Sequence, residues 1–299
     1  MLECVVNVSE GRRTDVVAAV AEACRSVLLD VHTDSNHNRS VFTLAGRPDE
    51  VSAAAFGLAG AAIEHIDMSL HSGVHPRLGA VDVVPFVPLD RAGGDGGPNS
   101  GVEPVGDVAR AWAQRVAADF SVPTFLYGAA DPAGRTLPDL RRSAFRDRPP
   151  DFGPSEPHPT AGAVAVGARP LLVAVNCELA PGSGGADEDL DLARAIARAV
   201  RERDGGLPGV RALGFALESK GRAQVSMNLT DLAVTGIEAA CEAVRRAALE
   251  RGGEVTTVEL VGLLPASELE RCSGEFLAWS GLSPDRTIEA RMRTGGWSA

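Results

Sequence analysis

The sequence predicts an α/β (α+β) chain built as two ferredoxin-like β-α-β-β-α-β subdomains with a ligand cleft between them. Three observations lead there. The same order of strand-like and helix-like segments occurs twice along the chain. Each run opens on a strand-like stretch with an asparagine near its end, Asn7 in the first and Asn176 in the second. Between the runs, Arg146 to Gly162 is too dense in proline and glycine to be regular structure. The expected subdomains are residues 1–165, which carry that connector, and residues 166–299.

In the first half, Cys4–Val8 has the character of a strand, Asp15–Ser26 of a helix rich in Ala and Val, and Val27–Val31 of a second strand. Arg39–Ala45 alternates, with Ser40, Phe42 and Leu44 against Arg39, Val41 and Thr43, and gives a third strand. Pro48 suits the first position of a helix that runs to about Met68. Val81–Val87 returns as a strand, Pro104–Phe120 is helical, and Thr124–Tyr127 is a short strand behind Pro123. The Gly93–Pro98 run lacks the spacing and the following helix of a phosphate loop, so a flexible connection is expected. In the second half, Leu171–Cys177, Val210–Leu217, Ala223–Leu229 and Val255–Val261 are strands, the middle two joined by a tight turn at 219–221. Glu188–Arg203, Thr235–Arg251 and Ser267–Ala278 are the helices among them.

Composition excludes several classes of function. A net charge of −11 argues against nucleic acid as the main partner, because phosphate binding needs a basic face. An anionic small molecule would be repelled at long range, so any anion site must carry local arginines. With aromatics at only 4%, base-stacking platforms are not expected. The five cysteines are widely spaced without a CxxC pair, which suits small core residues in a reducing cytoplasm. No signal segment precedes the first strand, and no apolar run approaches the roughly 18 residues of a membrane span. A cytoplasmic protein is expected.

The chemistry is concentrated in His71-Ser-Gly-Val-His75-Pro-Arg77-Leu-Gly-Ala-Val-Asp82. Gly73 and Pro76 break any helix here, leaving an irregular loop that leads into a strand, the usual setting of catalytic side chains. His75 is the candidate acid or base, since imidazole titrates near neutral pH and Pro76 fixes the backbone beside it. His71 and His75 would share a helix face and could ligate zinc, but Gly73 spoils that helix and no third ligand stands at a suitable spacing. No metal is expected. Two strands carry polar faces: Gln224, Ser226 and Asn228 in one, Glu3, Asn7 and Ser9 in the other. Such faces are either solvated or the wall of a polar cleft, and Arg39 on a third strand favours a shared cleft.

Several stretches together carry a family resemblance: Glu3-Cys-Val-Val-Asn-Val-Ser-Glu-Gly11, Asn38-Arg39, Ile66-Asp-Met-Ser69, His75–Asp82, Asp151-Phe-Gly-Pro154, Gly162 with Val166–Arg169, and Ala223–Leu229. In order and spacing, from Leu2 to about Pro265, they resemble the formiminotransferase domain of the glutamate formimidoyltransferases, in the stand-alone bacterial type. The resemblance implies two α/β subdomains with a folate-lined tunnel between them, and a cytoplasmic homodimer acting in histidine degradation. It implies tetrahydrofolate as co-substrate, His75 as catalytic residue, and a folate-contacting segment. That segment maps onto Gly153, Pro154, Ser155, Glu156, Pro157, His158, Pro159, Thr160, Ala161 and Gly162, with a further contact at Val164. The implied reaction moves a formimidoyl group between the amine of glutamate and N5 of tetrahydrofolate. A single imidazole can take the proton from the attacking nitrogen and deliver one to the departing amine. Arg39 and Arg77 are candidates to clamp the substrate carboxylates, with Asn7, Ser9, Gln224 and Asn228 as further substrate contacts.

The chain departs from the family pattern near the site. Ser72-Gly-Val74 stands where Lys-Gly-Glu is common, His32 where an aspartate is, and Val164 where a threonine is. A paralogue using another amine, or formyl instead of formimidoyl, is therefore the alternative, and a folate-binding protein without turnover is the third reading.

Overall fold

Along the first strand, β1 (Leu2–Val8), Leu2, Cys4, Val6 and Val8 are all buried, while Val5 and Asn7 on the other side are half-buried. That alternation gives the sheet two unlike faces. The computed structural model describes residues 1–73, 77–89, 101–182 and 185–294. They divide into two units, Met1–Pro170 and Leu171–Ala299. His75, with Val74 and Pro76, lies outside the described residues, as does the Gly93–Pro98 run.

In the first unit, β1 is followed by α1 (Thr14–Ala23), β2 (Leu28–Asp34), β3 (Arg39–Gly46), α2 (Pro48–His65) and β4 (Val81–Pro88). Next come α3 (Val102–Phe120), β5 (Thr124–Gly128), α4 (Leu137–Ser143) and β6 (Val164–Ala168). The strands lie in the order β2-β3-β1-β4-β6-β5. Its first four members are antiparallel and form the expected β-α-β-β-α-β arrangement. β6 extends it by pairing parallel to both β4 and β5. Cys4 stands between Leu44 and Phe86 in register, and on this face α2 and α3 pack, with Phe86 edge-on to Trp112 at 6.1 Å. Val83 points the other way and clusters with Phe125, Tyr127, Ala165 and Leu140 of α4. Asn7 and Arg39 share that second face, because Asn7 pairs with Val83 and Val41. The face carrying α4 therefore also carries the polar residues of the central strands.

The second unit repeats the pattern with β7 (Val173–Leu179), α5 (Ala186–Val200), β8 (Val210–Leu217), β9 (Arg222–Leu229), α6 (Ile237–Leu249) and β10 (Val255–Val261). Its sheet order is β10-β7-β9-β8. α5 and α6 bury Ala193, Ile196, Val200, Ala240 and Val244 at helical spacing against Val175, Cys177, Val225 and Met227. The opposite face holds Asn176, Glu178, Gln224, Ser226 and Asn228.

Three details differ from expectation. α4 and β6 were not foreseen. The helix expected over Ser267–Ala278 is two, α7 (Ala266–Glu270) and α8 (Gly274–Ser280), because Ser273 accepts the Phe276 N–H at 3.1 Å and starts a new helix. A further helix, α9 (Ile288–Thr294), follows. The first unit runs to Pro170, since β6 pairs with β4 and β5 and belongs to their sheet.

Candidate active site

The tight turn between β2 and β3 organises the polar end of the first unit. Asp34 accepts N–H bonds from Asn36 (2.7 Å) and His37 (2.9 Å), and its other oxygen meets His37 Nδ1 at 3.0 Å. Burial works against the charge, yet the bonds from His37 and Asn36 hold the Asp34 carboxyl well below the usual carboxylate range. Asn38 follows in the left-handed region, φ 47°, a conformation asparagine tolerates better than most residues. Its Oδ1 accepts from Gly11 N at 2.9 Å, and its Nδ2 donates to Ser72 O at 3.0 Å. Asn38 thus ties the loop after β1 to the start of the His71–Asp82 stretch. Glu10 organises the same loop, accepting the N–H groups of Gly11, Arg12 and Arg13 at 2.8–3.0 Å.

Arg77 spends its guanidinium on this turn. Nη1 donates to Asn38 O (2.9 Å) and Nη2 to His37 O (2.7 Å). Arg77, expected as a substrate clamp, braces the backbone of the turn. Its Nη1 also lies 2.9 Å from His71 Nε2. The same Nε2 lies 3.1 Å from Asn38 O, so the ring is held between the Arg77 guanidinium and that carbonyl. Burial first, and the Arg77 cation second, lower the His71 pKa. The unfolded chain therefore binds the proton more readily, and this part of the stability is present above the ordinary histidine pKa and lost as pH falls toward the folded value. Urea unfolding midpoints of wild type should drop more steeply between about pH 7 and 5 than those of His71→Gln. Parallel curves would show that the imidazole is not held this way.

The other end of the stretch is fixed by Asp82. Its Oδ1 accepts Leu78 N at 2.7 Å and its Oδ2 pairs with Arg141 of α4 at 2.6 Å. Asp82 is 4% exposed and Arg141 19%, so this pair is largely removed from solvent. Ser9 donates to Gly79 O at 2.7 Å and is buried, so its hydroxyl serves the backbone, not an open pocket. Asn7 is half-buried and donates to Val5 O at 3.0 Å. Arg39, beside Asn7 on the same face, has a buried Nε with no hydrogen-bond partner among the described residues.

The connector closes onto the same stretch. Ala80 N donates to Ala161 O (2.9 Å), Ala163 N to Leu78 O (3.0 Å) and Met68 N to Thr160 O (2.7 Å), with Gly79 opposite Gly162. His158 shapes the turn before them: its backbone exchanges both bonds with Gly162, and its Nδ1 accepts Ala161 N at 3.0 Å. Gly153 to Pro157 and Pro159 are exposed, whereas Ala161 is buried and Val164, at 0% exposure, faces the core of the sheet. The side chain of Val164 is thus placed for packing, while the exposed connector residues remain open to a ligand.

The structure brings Asn7, Ser9, Arg39, Arg77 and the connector together around the His71–Asp82 stretch. Gln224 and Asn228 sit in the second unit, on one face of β9. Asn228 is exposed, but Gln224 is 0% exposed and neither atom of its amide has a partner among the described residues. A buried, unsatisfied amide is costly and is a common sign of a binding wall. Asp82 stood in the stretch singled out from sequence, but its partner Arg141 was missed, as were Glu10 and the structural part of Asn38. Among the described residues no group of three or more His, Cys, Asp or Glu could hold a metal ion.

Comparisons with known proteins identify the family. Residues 1–169 match the family described as the formiminotransferase domain, N-terminal subdomain, and residues 186–283 match the formiminotransferase domain. The chain is 37% identical to a glutamate formimidoyltransferase of Thermoplasma acidophilum, covering 98% of this chain and 97% of that one. It is 35% identical to a glutamate formimidoyltransferase of Streptococcus pyogenes, covering 90% of each. Against a formimidoyltransferase-cyclodeaminase of Sus scrofa the identity is 40%, over 90% of this chain and 51% of that one.

Proposed function

The chain belongs to the formiminotransferase domain family, and from that membership we propose that it transfers a formimidoyl group between N-formimidoyl-L-glutamate and N5 of tetrahydrofolate. The observation that best supports this reading is the joint between two distant segments. The stretch bearing the His-Pro-Arg motif and the connector matching the family's folate segment are hydrogen-bonded along Leu78–Ala80 and Ala161–Ala163. A ligand at the Ala161–Ala163 end of the connector would lie beside Leu78–Ala80, directly after Arg77.

In this reading Gly153–Gly162 receives the folate co-substrate, which supplies the accepting or donating N5 when bound. His75 takes the proton from the attacking nitrogen and returns one to the departing amine, a contribution of about 10²–10⁴-fold. Arg39 meets a carboxylate of the amino-acid substrate, since guanidinium pairs with it through two parallel bonds. Arg77 and Asn38 hold the loop in register, and the remaining rate comes from positioning two small polar substrates. A cytoplasmic homodimer acting in histidine degradation is part of the same reading. No helix among the described residues is long and apolar enough to cross a membrane.

The test is a steady-state assay of purified protein with formimidoylglutamate and tetrahydrofolate, following the N5-substituted product, beside formimidoyl derivatives of other amines. Turnover with the glutamate derivative above all others is expected. Product from a different amine alone, or tetrahydrofolate binding with no turnover on any, would overturn it.

A further inference from the structure

On the α4 face of the first sheet, the cations outnumber the acids free to meet them. The negative charges that act favourably on Arg39 are those of Asp82 and Asp34, and both are already engaged. Asp34 stands opposite Arg39 in the β2–β3 register, yet both its oxygens serve the turn through Asn36 and His37. Asp82 gives one oxygen to Leu78 N and the other to Arg141. Arg39 is left with a buried Nε that nothing among the described residues answers, while Arg141 and Arg77 add repulsion. Burial, more than that repulsion, pushes its pKa down to about 10. A desolvated cation whose neighbouring acids are engaged elsewhere is unfavourable, and a ligand carboxylate is the natural remedy.

We propose that Arg141 sets the selectivity of this site for a carboxylate-bearing amine, by holding Asp82 away from Arg39. If Arg141 were absent, Asp82 Oδ2 would lose its ion pair and could neutralise Arg39 from within the protein. The substrate would then have to displace an internal partner. Arg141 acts through Asp82, so it is a positioning residue. It is tethered by α4, whose Leu140 is fixed in the cluster with Phe125 and Tyr127. The inference rests on the transferase reading for its substrate, but not for its electrostatics.

The test is the pair Arg141→Gln and Arg141→Gln/Asp82→Asn. The single variant should raise KM for formimidoylglutamate tenfold or more, with kcat within about threefold and tetrahydrofolate affinity unchanged. Adding Asp82→Asn should bring KM back to within about threefold of wild type. Asparagine still accepts the Leu78 N–H but carries no charge to offer Arg39. A merely structural role for Arg141 predicts no such rescue. An unchanged KM, a fall in kcat alone, or a double variant no better than the single would each overturn the proposal. If Arg141→Gln melts below the assay temperature, Arg141→Lys takes its place. That variant keeps a cation on Asp82, so near-wild-type KM supports the proposal and a tenfold rise sinks it. If wild type transfers no formimidoyl group, the transferase reading fails separately. Calorimetry with L-glutamate then decides this one: tenfold weaker binding to Arg141→Gln sustains it, and no binding to wild type ends it.

Discussion

His75→Ala is expected to lower turnover by about 10²–10⁴-fold while tetrahydrofolate affinity stays within about threefold. The transfer requires one proton to leave the attacking nitrogen and another to reach the leaving nitrogen. An imidazole that titrates near neutrality can carry both in sequence. His71, four positions earlier, is no substitute. Its Nε2 is engaged by Arg77 Nη1 at 2.9 Å and Asn38 O at 3.1 Å. The residues that flank 74–76 have anchors of their own: Ser72 O is held by Asn38, and Arg77 by the carbonyls of His37 and Asn38. Truncating His75 should therefore leave the fold and the connector in place. The check is single-turnover kinetics alongside tetrahydrofolate titration and a melting curve for each protein. A variant as active as wild type would remove His75 from the chemistry. One that melts well below wild type would return it to a structural role.

How much of this could be read from the sequence depends on whether the signal was local. Strands announced themselves by alternation: Arg39–Ala45 and Ala223–Leu229 fall within β3 and β9. The proline- and glycine-rich connector was recognisable because its backbone rules out regular structure. α4 escaped because its seven residues make about two turns, too few for periodicity to build up. A cue was present nonetheless: Thr136-Leu-Pro-Asp139 is a capping box with proline in the first turn, and Thr136 Oγ1 and Asp139 do exchange bonds in that way. With α4 missed, Arg141 was missed too, since its ion pair spans 59 residues and leaves no pattern around either partner. Residue type alone did not reveal which backbone atoms the polar side chains serve: Ser9 holds Gly79 O and Arg77 holds the β2–β3 turn. A side chain's hydrogen-bonding capacity is legible in sequence, whereas the atom it answers is settled only when distant backbone arrives. Gln224 teaches the reverse: a polar face that base rates assign to solvent is fully buried there.

The joint between the two segments makes Gly79→Ala a strongly damaging substitution in the first unit. Its Cβ would lie 2.2 Å from Ala161 O, 2.4 Å from Ala163 O and 2.7 Å from Ala163 N. These are backbone atoms, so no rotamer change relieves the clash. On the other side, Gly162 sits at φ +68° with Leu78 O only 2.3 Å from where its own Cβ would be, so the partner strand has no slack either. The two segments must part by about an ångström, weakening Ala80 N→Ala161 O, Ala163 N→Leu78 O and Ser9 Oγ→Gly79 O. Overpacking costs about 1–3 kcal/mol and each weakened hydrogen bond up to about 1 kcal/mol, giving about 3–5 kcal/mol together. For a unit of this size that is a fall in Tm of about 10 °C or more. Tetrahydrofolate affinity should weaken at least tenfold in the fraction that remains folded, because the connector is displaced from the motif. Gly274→Ala at the start of α8 is the matched comparison. Its Cβ would meet nothing within 4 Å, so it should be neutral or slightly stabilising. Equal melting temperatures for the two variants would mean that the Leu78–Ala80 and Ala161–Ala163 backbones are not locked together. The placement of folate beside the His-Pro-Arg stretch would then lose its physical basis.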